Sequence, residues 1–425
     1  MKKLSSLLIA LFTVFLLAGS AMAQVTVSGS NGVDGPYTSL TDAAGAFLAI
    51  NGADQTGMNI IIDITADVTT EPGTNGLNAG LWTTLLIRPS GGAARTISGT
   101  VAGAPLILLN GADYVTIDGL NTGGNSLIIS NLSTSSTTAT STIRMIADAT
   151  NITITKCTIL GSATVPLATN GGNIFISTGT TTGNDNITIS DCILGPAGSN
   201  LPSKLIYGNG STTNATIANS NITINYCEFS DYFLTGGCAA VYALTGNTDW
   251  TVTNNKIFQT ASRTFTAAGT MHGIYFANTT YGNNIQILSN TIGYASNAGT
   301  GTLTLLGSVA GAFQGIFMNA MTTAANACNI NNNMISDISL TSTTGTFYGI
   351  NNATGASSNT ININSNTVRN IATITTTGLH YPIESGSATT LTVNLNTVNN
   401  ITRTGSGLLY GIKMTSPANG LFSGN

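Results

Sequence analysis

Two pairs of aspartates are the first places to look for chemistry. Asp113 and Asp118 flank one short strand phrase, and Asp185 and Asp191 flank another. Carboxylates that converge can hold Ca²⁺ or divide general acid and base work at a glycosidic bond. The corresponding positions of other turns hold Asn, Thr, Tyr or Ser, so no column of acids forms. The four aspartates are expected to serve bends, which Asp favours on its own account. His272 and His380 each precede an apolar strand and are expected to share one repeat position, a structural or surface slot. Arg144, Arg263, Arg369 and Arg403 come one to a turn. Arg369 and Arg403 follow a phrase closely and are expected to line one side. There is no Ser-His-Asp pattern, Cys-x-x-Cys, phosphate loop or metal-ligand spacing. No catalytic residue, metal or cofactor is therefore expected.

The dominant feature is a phrase that recurs. Asn151–Ile159 returns as Asn186–Leu194, Asn221–Phe229, Asp249–Ile257 and Asn284–Ile292. Looser copies follow at Ala327–Ile335, Thr360–Val368 and Thr390–Val398, at spacings of 28 to 43 residues. Self-similarity of that period marks a solenoid whose units stack on one another. Ile152 and Ile154 alternate with Thr153 and Thr155, which is the period of a strand. Lys156 breaks the alternation, and Cys157 and Ile159 resume it one residue later. A strand, a sharp bend and a second strand follow. A third strand precedes the later phrases, as in Gly273-Ile274-Tyr275-Phe276 and Gly315-Ile316-Phe317-Met318. Each unit thus has three short strands joined by turn formers and no helix signal. Strands that pair with their own copies about 4.8 Å away build parallel sheets, so the expected fold is an all-β parallel β-helix. The residue after the bend forms a column: Cys157, Cys192, Cys227, Asn255, Asn290, Asn333, Asn366 and Asn396. Stacked amides can hydrogen-bond along such a column, and buried Cys fills the same place as a small hydrophobe. Those three thiols are expected to be reduced and buried, although five cysteines in an exported chain would otherwise suggest disulfides.

The repeat resembles the right-handed parallel β-helix proteins of the pectin-lyase-like superfamily, in the secreted form found on bacterial surfaces. Tyr114-Val115-Thr116-Ile117-Asp118-Gly119-Leu120 is a frequent phrase in that group. The resemblance covers nearly the whole mature chain and implies the fold. It leaves function open, because lyases, hydrolases, esterases, adhesins and passive stalks share it. The hydrolase branch uses a Gly-His-Gly phrase, whereas His272 follows Met271. The esterase branch has a Gly-Arg-Pro phrase, of which Arg88-Pro89 is a weak echo.

Residues 1–23 read as a signal peptide. Lys2 and Lys3 open it, Leu7–Ala18 is its apolar core, and Ala21-Met22-Ala23 is its cleavage site. The protein is therefore expected to be secreted or held on the outer cell surface, without a membrane span after cleavage. Loss of Lys2 and Lys3 leaves ten basic against sixteen acidic residues, a net charge near −6. Nucleic acid needs a basic stripe and is excluded as a partner. Residues 24–105 lack the phrase and read as an N-terminal cap with the first turns. Within them Ser39–Asn51 is predicted as a helix with Ser39 or Thr41 as its cap, and Asn59–Ile64 and Thr84–Ile87 as strands. Residues 106–425 are the repeats. Asn425 falls at the column position of a further unit, so the protein is expected to continue.

A surface remains. The phrase strands point Thr153 and Thr155, Thr188 and Ser190, Thr223 and Asn225, Thr251 and Thr253, Asn329, Asn362 and Thr392 outward. These residues form the candidate ligand face, uncharged and rich in hydroxyls and amides. The expected role is structural or adhesive, with neutral polysaccharide or a cell-surface glycan as the ligand of that face. Solvated strand residues would look the same, and an ice-binding plane fits less well because the Thr ranks are interrupted. The competing class is a polysaccharide lyase or glycoside hydrolase whose site lies in a loop or in a C-terminal part beyond this chain.

Overall fold

The computed structural model describes residues 23–278, 280–320, 326–353, 360–386, 388–415 and 419–425. Apart from Ala23, the expected leader lies outside them. Three long sheets run the length of the chain, and successive strands of each sheet come from successive turns. Sheet 1 contains the phrase strands, from Asn59–Ile64 and Thr84–Pro89 through Ile152–Thr155 to Asn419–Ser423. Sheet 2 contains the strands after the bend, such as Cys157–Gly161 and Ile193–Pro196. Sheet 3 contains the Gly-Ile strands and their earlier equivalents, from Leu77–Asn78 to Ile412–Met414. All pairings from Asn59 onward within these sheets are parallel. Val25–Ser28 is the exception at the start, antiparallel to both Gly35–Tyr37 and Asn59–Ile64. The chain is an all-β parallel β-helix with an N-terminal cap.

The core column follows the phrase alignment. Ile154, Ile189, Ile224, Val252, Ile287, Ile330, Ile363 and Val393 are neighbours in register and fully buried. Below residue 151 the same column continues through Ile62, Ile87 and Ile117. Stacked turns therefore begin at Asn59, within the segment that lacks the phrase.

Every phrase bend is made the same way. Lys156, Asp191, Tyr226, Asn254, Ser289, Asn332, Ser365 and Leu395 all take φ between 53° and 59°. L-residues visit this left-handed region only at a cost. The stack offsets it, because each bend N–H donates to the following turn, as Lys156 N does to Ser190 O at 3.1 Å. The residue after the bend then faces the interior.

In the cap the predicted helix shrinks to Ala46–Asn51. Its N-cap is Gly45, with no side-chain cap, so neither Ser39 nor Thr41 serves. The cause is Glu71, a buried carboxylate that accepts from Leu40 N at 2.6 Å, Thr41 N at 3.0 Å and Ser39 Oγ at 2.8 Å. Those donors are taken by a distant acid, and the chain at 39–45 bends instead of coiling. Helix positions at Leu40 and Ala43 look periodic in sequence, but local period yields to this tertiary tie.

Candidate functional site

The outer face of sheet 1 carries two ranks of half-buried side chains. One rank runs Thr116, Thr153, Thr188, Thr223, Thr251, Gln286, Asn329, Asn362 and Thr392. The other runs Asp118, Thr155, Ser190, Asn225, Thr253, Leu288, Asn331, Asn364 and Asn394. All eleven candidate residues therefore lie on one face, in register at the strand spacing of about 4.8 Å. Beyond Asp118 neither rank carries a charge.

The two ends of the face differ in what their polar groups already do. Among the described residues, the hydroxyls of Thr153, Thr188, Thr223 and Thr251 have no hydrogen-bond partner. Asn225 Oδ1 has no donor either. Ser190 Oγ donates to Thr155 Oγ1 at 2.9 Å. From Gln286 onward the amides hold one another. Asn329 Nδ2 donates to Gln286 Oε1 at 2.6 Å, and Asn362 Nδ2 donates to Asn329 Oδ1 at 2.8 Å. Asn331, Asn364 and Asn394 each accept a backbone N–H of the next turn at 2.9–3.1 Å. Asn329 and Asn362 thus occupy the predicted face with at least part of their hydrogen-bonding capacity already used.

The acids behave as bend residues. Asp113 accepts from Thr150 N and Oγ1, and Asp185 from Ser220 N and Oγ, one turn along. Asp118 accepts from Leu120 N at 2.8 Å. Asp148 is gripped by the backbone N–H groups of Thr180, Thr181, Thr182 and Gly183. Burial alone would raise that carboxyl, but these donors hold it well below the usual carboxylate range. Among the described residues no group of three or more His, Cys, Asp or Glu could hold a metal ion.

The two histidines do not share a position. His272 pairs with Gln314, whose next partners are Tyr348 and Tyr381, all on the outer face of sheet 3. His380 pairs with Phe347 and points into the core. The alignment is one residue out, and in a strand one residue exchanges the faces. Arg369 and Arg403 do not line one side either. Arg369 lies opposite Ser336 and reaches Tyr294 Oη at 3.4 Å, whereas Arg403 lies opposite Thr373 and is tied to Gly378 O. All five cysteines are buried and free, with Cys328 and Cys238 on core-facing strand positions and the other three in the column.

Sheet 3 holds a feature that the sequence reading missed. Phe175, Tyr207, Tyr242, Tyr275 and Phe317 are consecutive partners, each following an aligned core residue from Ile174 to Ile316. Tyr242, Tyr275 and Phe317 stack with centroids 4.5 Å apart and planes within 15°. Tyr348, Tyr381 and Tyr410 form a second stack at 5.1 Å. Within a stack the ring faces cover one another, so solvent meets edges rather than the open faces on which a sugar would lie. Lys204 lies over an inner ring of the first row. It is buried, 4.4 Å from the Tyr207 ring, and donates to the carbonyls of Pro166, Leu167 and Thr169. Burial pulls its ammonium down to about 7. Aromatics recurring at the residue after the sheet 3 core position were the signal that could have revealed this row.

No protein-family model matches the chain. No curated protein matches it by sequence. Among solved structures it is similar to PfbA, a surface adhesin of Streptococcus pneumoniae, at 13% identity over 84% of this chain and 85% of that one, with a TM-score of 0.30. It is also similar to endopolygalacturonase I from Stereum purpureum, at 17% identity over 85% of this chain and 96% of that one, with a TM-score of 0.24. No residue role, ligand or activity is carried over from either. By its own strand order and register, the chain is a parallel β-helix.

Proposed function

We propose that the protein is an exported, non-catalytic surface protein that holds neutral glycan on the Thr-rich part of sheet 1, in a structural or adhesive role. The observation that carries this reading is the rank Thr153, Thr188, Thr223 and Thr251, four half-buried hydroxyls in register without intramolecular partners. Each can donate and accept, which is what rows of sugar hydroxyls require. The acidic net charge disfavours polyuronates, and no helix among the described residues is long and apolar enough to cross a membrane.

A glycan array on the mature chain tests the reading. A neutral glycan should bind with little dependence on salt, since no ion pairs form. The double variant Thr188→Lys and Thr223→Lys should lose that binding while its circular dichroism is unchanged. Unsaturated product released from polygalacturonate, and lost when one Asp is replaced, would overturn the reading in favour of a lyase.

A further inference from the structure

Sheet 2 carries an insertion that the repeat does not need. Strands Thr291–Gly293 and Leu303–Gly307 both pair with one unbroken strand of the next turn, Met334–Ser342. Gly293 lies opposite Ser336 and Leu303 opposite Ile338, so residues 294–302 stand where the next turn has Asp337 alone. The chain leaves the sheet at Gly293 and Tyr294, with φ of +124° and +63°. Gly293 admits nothing larger, because a Cβ there would lie 1.8 Å from Ser336 O. The loop is closed by Ala295 N donating to Thr300 O at 3.0 Å and by Ser296 Oγ, 2.8 Å from Thr300 Oγ1. It reaches back two turns, where Asn297 Nδ2 donates to both carboxylate oxygens of Glu228 at 3.2 and 3.0 Å.

Loop and sheet border a half-open cavity of about 270 Å³. Phe258, Tyr294, Ala298 and Met334 give it an apolar wall. The Tyr294 ring is held in place, its hydroxyl 3.8 Å from Met334 Sδ and 3.4 Å from Arg369 Nη2. At the rim Asn297 is occupied by Glu228, and Ser296 by Thr300. Lys256 is different. It is exposed, and among the described residues its ammonium has neither an ion pair nor a hydrogen bond. The Thr291 hydroxyl beside it is also unpaired.

We propose that this cavity binds a small ligand with an apolar body and one carboxylate. The wall would leave most hydroxyls of a sugar buried without partners, which is costly. Lys256 lies between Glu228 and Thr291 in the ladder, but the Glu228 carboxylate is held by Asn297, which leaves the ammonium and the Thr291 hydroxyl for a single anionic group. Insertions on one face of a solenoid are where binding sites are commonly built. The site lies on a different sheet from the Thr face, so it stands or falls independently of glycan binding.

The probes are 3-phenylpropionate and its neutral amide, titrated into the mature protein and followed by ligand-observed NMR. The acid should bind saturably, and the amide about tenfold more weakly, as expected for loss of a charge-assisted hydrogen bond. Lys256→Met, at an exposed position, should bring the acid to the level of the amide. Replacing residues 294–302 by a single Asp, as in the next turn, should abolish binding of both. Lack of saturable acid binding, equal binding of acid and amide, or an unchanged affinity in Lys256→Met would each overturn the proposal.

Discussion

The turns around Thr188 and those around Asn362 share one backbone but have different chemistry. In the first group the interior column is Cys157, Cys192 and Cys227, whose thiols make long bonds to carbonyls of their own and the preceding turn, such as Cys192 Sγ to Ser190 O at 3.1 Å and to Ile154 O at 3.6 Å. In the second group the column is Asn255, Asn290, Asn333, Asn366, Asn396 and Asn425. From Asn290 onward each Oδ1 accepts both the backbone N–H and the Nδ2 of the preceding member at 2.9–3.1 Å, while Asn255 Oδ1 accepts the backbone N–H of Cys227. Each of the five from Asn290 onward also donates to a core strand carbonyl at 2.7–2.8 Å. The outer face shows a related contrast one turn further along, with unpartnered hydroxyls from Thr153 to Thr251 and linked amides from Gln286 to Asn362. Amides can donate and accept along a stack at once, so an Asn turn satisfies itself. A Thr hydroxyl leaves its capacity to solvent or a ligand. The same solenoid thus has a self-bonded part and a part with free polar groups.

The largest effect should come from a charge in the core of the first part. Ile224→Asp buries an uncompensated carboxylate, which costs several kcal/mol. Because each turn contacts mainly its neighbours, hydrogen exchange should show lost protection around Ile189 and Val252 and retained protection around Ile363. Loss at Ile363 as well would mean that the two parts are one cooperative unit.

A smaller effect tests the columns directly. Asn290→Ala leaves Asn255 N, Asn255 Nδ2 and Val252 O without the Asn290 side chain, and should cost about 2–4 kcal/mol. Cys192→Ala loses only weak sulfur contacts and should cost about 1 kcal/mol. Urea unfolding measures both, and equal costs would remove the distinction between the columns.

Acid should weaken the fold through its histidines. His380 lies 4.6 Å from the Phe347 ring, with Nδ1 3.0 Å from Thr373 Oγ1. Burial first, and Arg403 second, pull it from 6.5 to about 4. Burial pulls His272 to about 3. The unfolded chain then binds protons more readily, so stability is full above pH 6.5 and falls as the pH drops from there toward 4. At pH 4 the loss is about 3 kcal/mol per histidine, and for His272 it grows further toward pH 3. His380→Phe should remove roughly half of that slope, and an unchanged slope would exclude His380 as its source.

The sequence by itself determined the solenoid. Alternation in the phrase named the buried Ile column, the break at Lys156 marked the left-handed bend, and the residue after it marked the Cys and Asn column. These are local signals repeated many times, and repetition removes the ambiguity of a single short strand. It also determined which side chains form the candidate face, because period two assigns a side once the core is known. Tertiary structure alone decided the rest. The helix read over Ser39–Asn51 gave way to a carboxylate 30 residues further on, at Glu71. The two histidines parted because strand register, fixed by pairing, shifts sides with one residue. The free or spent state of each Thr and Asn on the face depends on which turn lies above it. The cavity beneath residues 294–302 exists because a loop reaches back two turns to Glu228, a contact 69 residues distant in the chain. Such distances are beyond any local period, and only the stacking of turns closes them.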